Sequence, residues 1–177
     1  MRANFIKMIS PIRFRESSVK KDPTDGRNTF DTDYSRIVLS SHFRRLQDKA
    51  QVFPLERSDF IRTRLTHSLE VACFARGLGL GVEKHLLKKK IITETEIGYI
   101  PTILEVAGLI HDIGNPPFGH FGEEIIKSYF QKIKSLSDDN LIKNAFDSLT
   151  DEHLNFDGNV QGFRILRYIG LAHDNLS

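Results

Sequence analysis

Residues 108–123 read GLIHDIGNPPFGHFGE, and this stretch decides how the rest of the chain is read. An apolar run, Gly108-Leu109-Ile110, ends in the adjacent pair His111-Asp112. Gly114 to Pro117 then reverses the chain, and His120 and Glu123 follow three residues apart. The order sets two metal-capable side chains at the end of one helix and two proton-transfer groups at the start of the next.

Working outward, Pro101 is well placed to open the first of these helices, expected over 101–112. Ile103, Leu104, Val106, Ala107, Leu109 and Ile110 make it apolar on most sides, so it should be central. An Asp at the end of such a helix needs a partner or a metal, because burying its charge alone is costly. The second helix is expected over 118–134, with Phe121, Ile125, Ile126, Tyr129 and Phe130 as its apolar stripe and His120 and Glu123 on another face. Upstream, residues 64–80 read as a helix with Leu65, Leu69, Val71, Ala72, Ala75 and Leu78 inward. His67 lies near its start and Arg64 one turn earlier on the same face. Gly77, Gly79 and Gly81 are expected to end it. Residues 82–90 then form a short amphipathic helix whose three terminal lysines suit the negative end of its dipole.

Residues 31–47 are expected to be one helix, with Tyr34, Ile37, Val38, Phe43 and Leu46 at near-helical spacing and Arg36, Arg44, Arg45 and Lys49 on or beside its basic face. Before it come a short helix over 1–8, a helix start at Ser10-Pro11 and a polar loop over 17–29 with Asp-Pro and Asp-Gly turns. Residues 52–54 read as a short strand or an extended edge, and Ser58 or Asp59 as the cap of a helix near Phe60. Residues 93–98 read as a polar connection, or 91–98 as a hairpin edge. A turn over 135–140, a weak helix or loop over 141–149 and an irregular polar stretch over 152–159 lead to a final helix over 160–171, carrying Phe163, Ile165, Leu166 and Ile169. The fold class is all-α, and thirteen Phe against four Tyr and no Trp point to a Phe-packed interior.

Composition narrows the function. A net charge of +2 is too small to speak for nucleic acid. The single cysteine, Cys73, excludes an internal disulfide framework and a Cys-rich zinc site, and fits a reducing, cytoplasmic setting. No apolar run approaches the roughly 18 residues of a membrane helix. Phosphate loops, dinucleotide fingerprints and serine nucleophile elbows are absent.

A His-Asp dipeptide alone is ordinarily a helix-terminal Asp beside a core histidine, and His67 alone reads more readily as structural than as functional. Taken together, His67, His111 and Asp112 form a mixed imidazole and carboxylate set compatible with Mn, Fe, Co, Ni or Zn. Such a site leaves room for water or a phosphate oxygen.

Residues 67 and 111–112 resemble the start of the HD superfamily of metal-dependent phosphohydrolases. Four longer stretches are similar, in order and spacing, to its deoxynucleoside triphosphate triphosphohydrolases, the dGTPase-like group: HFRRLQDKAQV (42–52), TRLTHSLEV (63–71), HDIGNPPFGHFGE (111–123) and FDGNVQGFRIL (156–166). The resemblance runs from about residue 31 to 177 and implies an HD-domain helical bundle, preceded by an N-terminal segment and polar loop over 1–30. It implies hydrolysis of a dNTP to deoxynucleoside and inorganic triphosphate, with a divalent metal, Mn or Mg foremost. His67, His111 and Asp112 are then metal ligands. His120 is the general acid toward the leaving 5′-oxygen, or assists the attacking water, and Glu123 orients it. Arg64 contacts the phosphate chain and Gln47 the deoxyribose 3′-hydroxyl. Asn115 contacts substrate, and Asn159 and Gln161 lie near the nucleotide or brace backbone there. Of Arg44 and Arg45, one supports the sugar-phosphate side and the other makes a structural ion pair.

The family completes its metal site with a further Asp downstream of anything in these residues. The resemblance therefore implies only the N-terminal part of the bundle, incomplete at the C-terminus, and weak or no activity unless another chain supplies the rest. It also implies a homo-oligomer for the full-length protein. The alternatives are an HD phosphohydrolase of another substrate class, a non-catalytic nucleotide-binding or regulatory fragment, and contact with single-stranded nucleic acid through the basic residues at 35–49. No membrane partner is expected.

Overall fold

The computed structural model describes residues 2–12, 22, 24–49, 62–136, 144 and 154–169. In chain order the elements are α1 (Arg2–Met8), α2 (Thr29–Leu39), α3 (Ser41–Arg44) continued by one 3-10 turn (Arg45–Asp48), and α4 (Arg64–Lys88). A short 3-10 turn (Glu94–Glu96) leads to α5 (Tyr99–Ile110), α6 (Gly119–Leu136) and α7 (Gly158–Arg164), which widens into a π-type turn (Ile165–Ile169). There is no β-sheet among the described residues, and the fold is all-α.

The centre is α4 against α5, which make the broadest packing among the described residues. Two glycines set their distance. A Cβ on Gly79 would lie 2.7 Å from the Pro101 Cα, and one on Gly108 would lie 2.6 Å from the Ala72 Cα. The contacts step backward along α4 as they step forward along α5, so the helices are antiparallel. Gly79 therefore does not end a helix, as its neighbours in sequence led one to expect. It lets α5 approach, and α4 continues through all three glycines to Lys88, absorbing the separate helix expected over 82–90. The expected inward face of α4 is also corrected. Its buried residues are Arg64, Ser68, Ala72, Gly79 and Glu83, while Leu69, Phe74 and Leu78 are exposed. Small residues face α5 because larger ones would hold it away.

The expected 31–47 helix is broken. Ser40 leaves the helical region at φ −70°, ψ 147°, its hydroxyl accepts from the Phe43 N–H, and α3 starts afresh from this cap. The break turns Phe43 and Leu46 into the same cluster as Ile37, Ala72 and Leu109. At the other end of α2, Asn28 and Asp31 form a reciprocal capping box, worth about 1 kcal/mol. Asp31 also accepts from the Thr102 hydroxyl of α5 at 3.1 Å. A second cluster, Ile9, Ile92 and Ile100, packs α1 against the C-terminal end of α4.

Several other expectations are settled here. The first expected helix is present as Arg2–Met8, whereas residues 10–12 are not helical. Residues 93–98 are a connection and not a hairpin edge: Thr93 and Glu96 cap one another, and the buried Glu83 accepts from the Gly98 N–H at 2.8 Å. Helix α5 starts at Tyr99, two residues before Pro101, because Gly98 supplies the left-handed entry at φ 88°. The stripe expected to bury α6 is partly outward, with Phe121, Ile125 and Tyr129 exposed. Helix α7 starts at Gly158 and not Val160, because Asp157 caps it by accepting from the Asn159 and Val160 N–H groups. The interior is not Phe-packed: Phe43 is the one buried Phe among the described residues, and the rest of the buried core is Ile, Leu and Ala. The readings for 13–21, 23, 50–61, 137–143, 145–153 and 170–177 lie outside the described residues.

Replacing Gly108 with Ala should force α4 and α5 apart at a cost of about 1–3 kcal/mol. Gly81, whose added Cβ would meet nothing within 4 Å, should respond oppositely, Gly81→Ala stabilising by about 0.5–1 kcal/mol. Urea midpoints of the two variants should move in opposite directions.

Candidate metal centre

His67 sits on the second turn of α4. Thr63 caps that helix, its hydroxyl accepting from the Thr66 N–H, and its carbonyl accepts from the His67 N–H at 3.0 Å. His111 is the first residue beyond α5, and the turn that follows holds Asp112 inward. The antiparallel packing brings these two ends together. The His67 and His111 rings meet edge to face with centroids 5.2 Å apart. One donor atom from each of His67, His111 and Asp112 can be chosen so that all lie within 4.8 Å of one another.

The local chemistry fits a divalent cation. The His111 Nδ1 lies 2.8 Å from the Gly108 carbonyl oxygen, which can only accept, so Nδ1 carries the proton and Nε2 keeps its lone pair for a metal. That Nε2 is 3.5 Å from Asp112 Oδ2. Two atoms about 2.1 Å from one ion at a tetrahedral angle would be about 3.4 Å apart. Asp112 is buried, and its other oxygen, Oδ1, accepts from the Asn115 side-chain amide at 2.5 Å.

Two cations stand in this region, Lys49 within electrostatic reach of both Asp112 and Arg64. Arg64 is only 4% exposed, and its Nε and Nη1 have no hydrogen-bond partner among the described residues. Its Nη2 reaches α6, where a Cβ on Gly119 would stand 3.1 Å away. Lys49 is half-buried and donates from Nζ to the Asn115 carbonyl at 3.0 Å. Burial first, and then the neighbouring Arg64, push the Lys49 ammonium below its ordinary value, while Asp112 pulls it upward. Lys49 had been read only as part of a basic helix face. Its position within the similar stretch HFRRLQDKAQV was the available signal, but spacing gave no way to see that the chain turns it inward.

His120 opens α6 with its side chain 91% exposed, and its Nδ1 is 3.2 Å from Glu123 Oε2. A carboxylate accepts, so His120 Nδ1 donates and Nε2 is left free. The other Glu123 oxygen accepts from the Gly158 N–H at 2.8 Å. Glu123 therefore ties His120 and the start of α7 together. Helix α7 docks closely on the turn: a Cβ on Gly114 would overlap Gly162 N and Gly158 O, and one on Gly158 would overlap Asn115 Oδ1.

The remaining candidates are distributed around these groups. Asn159 lines a cavity of about 220 Å³ with Ile110, His111, Gly162, Phe163 and Leu166. Gln161 lies half-buried in α7, its N–H donating to the Asp157 carbonyl. Gln47 is exposed, and its Oε1 accepts from the Thr63 hydroxyl beside Arg64 at 3.2 Å. Arg44 donates to the Leu39 carbonyl at 2.8 Å and so closes the end of α2.

The HD-domain family model matches residues 64–155. The chain is 44% identical over 175 residues to a deoxyguanosinetriphosphate triphosphohydrolase-like protein of Listeria innocua serovar 6a, covering 95% of this chain and 38% of that protein. It is 47% identical over 152 residues to a protein of the same description from Synechocystis sp., covering 83% of this chain and 33% of the relative. With the deoxyguanosinetriphosphate triphosphohydrolase of Klebsiella pneumoniae strain 342 the identity is 45% over 124 residues, 68% of this chain and 25% of that protein. The chain thus spans well under half the length of these relatives. No helix among the described residues is long and apolar enough to cross a membrane.

Replacing Glu123 with Ala removes the acceptor of the Gly158 N–H. Amides at the start of α7 should then lose about 1–3 kcal/mol of protection in hydrogen exchange. Amides in the middle of α4 and α5 should be unchanged.

Proposed function

The chain belongs to the HD-domain family, and we propose that its chemistry is metal-dependent hydrolysis of a deoxynucleoside triphosphate to deoxynucleoside and inorganic triphosphate. The observation that carries this reading is a His67, His111 and Asp112 donor set with a buried guanidinium beside it that has two unmatched donors. The first suits a divalent cation and the second an anion. A metal-bound polyphosphate satisfies both. The similar proteins are described as deoxyguanosinetriphosphate triphosphohydrolases or as like them, which supports the deoxynucleotide class.

His67, His111 and Asp112 hold the cation, with Mn or Mg foremost. When bound, it supplies Lewis acidity toward phosphate oxygens and makes water a stronger nucleophile at neutral pH. Every other part falls to the chain's own side chains. Arg64 binds the phosphate chain and offsets charge that grows on its oxygens as water attacks the α-phosphorus. The bond broken joins that phosphorus to the 5′-oxygen. His120 Nε2, free to accept, takes a proton from the attacking water and passes it to the departing 5′-oxygen, while Glu123 holds Nδ1 and fixes the tautomer. Gln47 reads the 3′-hydroxyl from the rim beside Arg64. Asn115, Asn159 and Gln161 complete the nucleotide side, and Arg44 acts on it at most through the end of α2. A homo-oligomer belongs to the same reading. The exposed apolar residues Phe74, Leu78 and Val82 of α4 and Phe121, Ile125 and Tyr129 of α6 support it.

The test has two readouts. Titration with Mn2+ should give binding that His67→Ala or Asp112→Asn abolishes and His120→Ala spares. Where the further Asp that completes the family's metal site is supplied, product analysis with dNTPs should give inorganic triphosphate in Mn2+ and none with EDTA, and His120→Ala should lower turnover about 10²–10⁴-fold. Stepwise release of single phosphates would exclude this reaction in favour of another phosphohydrolase class.

A further inference from the structure

We propose that Lys49 is a positioning residue for the metal-ligating carboxylate, and that it holds the aim of Asp112 by clamping the turn behind it. The inference rests on the metal reading above.

Lys49 joins three segments that are distant in sequence. It closes the 3-10 turn Arg45–Asp48, its backbone carbonyl accepts from the Arg64 N–H at 3.0 Å, and its Nζ donates to the Asn115 carbonyl at 3.0 Å. It therefore pins the start of α4, which carries His67, to the turn after α5, which carries Asp112. Asn115 passes the constraint on. Its backbone N–H donates to the Asp112 carbonyl at 3.2 Å and its side-chain amide to Asp112 Oδ1. With Oδ1 held, Oδ2 is directed toward His111 Nε2. The relay runs from ammonium to main chain, to amide, to carboxylate, and ends on a proposed ligand atom.

Electrostatics alone argues against a cation here. An ammonium beside a metal site repels the metal, and burying it is costly. A clamp explains the placement, because Nζ is spent on a carbonyl that fixes ligand geometry. Charge and position therefore predict effects of opposite sign. Removing the charge should tighten metal binding if Lys49 acts only as a charge, and weaken it if Lys49 positions Asp112.

The experiment titrates the chain with Mn2+ and records the Co2+ visible spectrum, with thermal melts as the folding control. Lys49→Met should weaken Mn2+ binding about tenfold or more, the scale of lost groups behind metal ligands, and should shift the Co2+ bands. Asn115→Ala should do the same by cutting the relay one step later. The double variant should bind no more weakly than the worse single one, since both act through one route. Lys49→Gln keeps a donor without the charge, and should bind more tightly than Lys49→Met. It also serves should the Met variant fail to fold. Unchanged or tighter Mn2+ binding in Lys49→Met, or additive losses in the double variant, overturns the inference. Wild-type binding that His67→Ala leaves intact, or no wild-type binding, overturns the metal reading and this inference with it.

Discussion

Ala72 and Gly108 touch with no room for a methyl group between them, and the site depends on that contact. Seven residues away along each helix, Gly79 meets Pro101 in the same way. Two such contacts a heptad apart fix both the spacing of α4 and α5 and their register. Continued toward the start of α4 and the end of α5, that register brings His67 opposite His111. Neither histidine needs a loop to find the other. Each stands at the end of a helix already locked against its neighbour, which suits a site whose function requires tight positioning. The cluster of Ile37, Phe43, Leu46, Ala72 and Leu109 lies along the same contact and backs it with packed side chains.

Charge around the triad follows a second logic. Asp112 is buried within electrostatic reach of Lys49, which in turn lies near Arg64, yet neither cation forms an ion pair with Asp112 in the described residues. Its oxygens meet an amide and a histidine instead. Lys49 is committed to a carbonyl and Arg64 keeps two donors unmatched. A buried guanidinium without acceptors costs about 1–3 kcal/mol per group left unsatisfied. On the proposed reading, a metal-bound polyanion would supply the acceptors these donors lack.

The helices over 101–112 and 118–134 were legible in the sequence from their apolar spacing and the turn chemistry between them, although for α6 the spacing did not tell which face is covered. The His67, His111 and Asp112 grouping was legible too, although only from the order of motifs. What escaped was whatever depended on a distant segment. Gly79 reads as a breaker until Pro101 lies against it. Leu69 and Leu78 read as core until the small face of α4 is taken up by α5. Ser40 reads as mid-helix until Phe43 and Leu46 have a cluster to turn into. Lys49 shows the same limit at the site, since its partner Asn115 is 66 residues away.

His120 stands on different support from the His67, His111 and Asp112 cluster. Helix α6 contributes no residue to either buried cluster among the described residues. Its entry instead requires two successive left-handed residues, Phe118 at φ 66° and Gly119 at φ 57°. For Phe118 that conformation carries a strain of about 1–3 kcal/mol, offset by the surrounding turn. His120 is then aimed by Glu123, whose second oxygen is held by the backbone of α7. The ligands thus belong to a rigid pair of helices, whereas the histidine is set by a tight turn and by whether α7 is docked. Glu123 is thus the one carboxylate that touches both His120 and the start of α7, whereas His67 and His111 are placed by α4 and α5 without it.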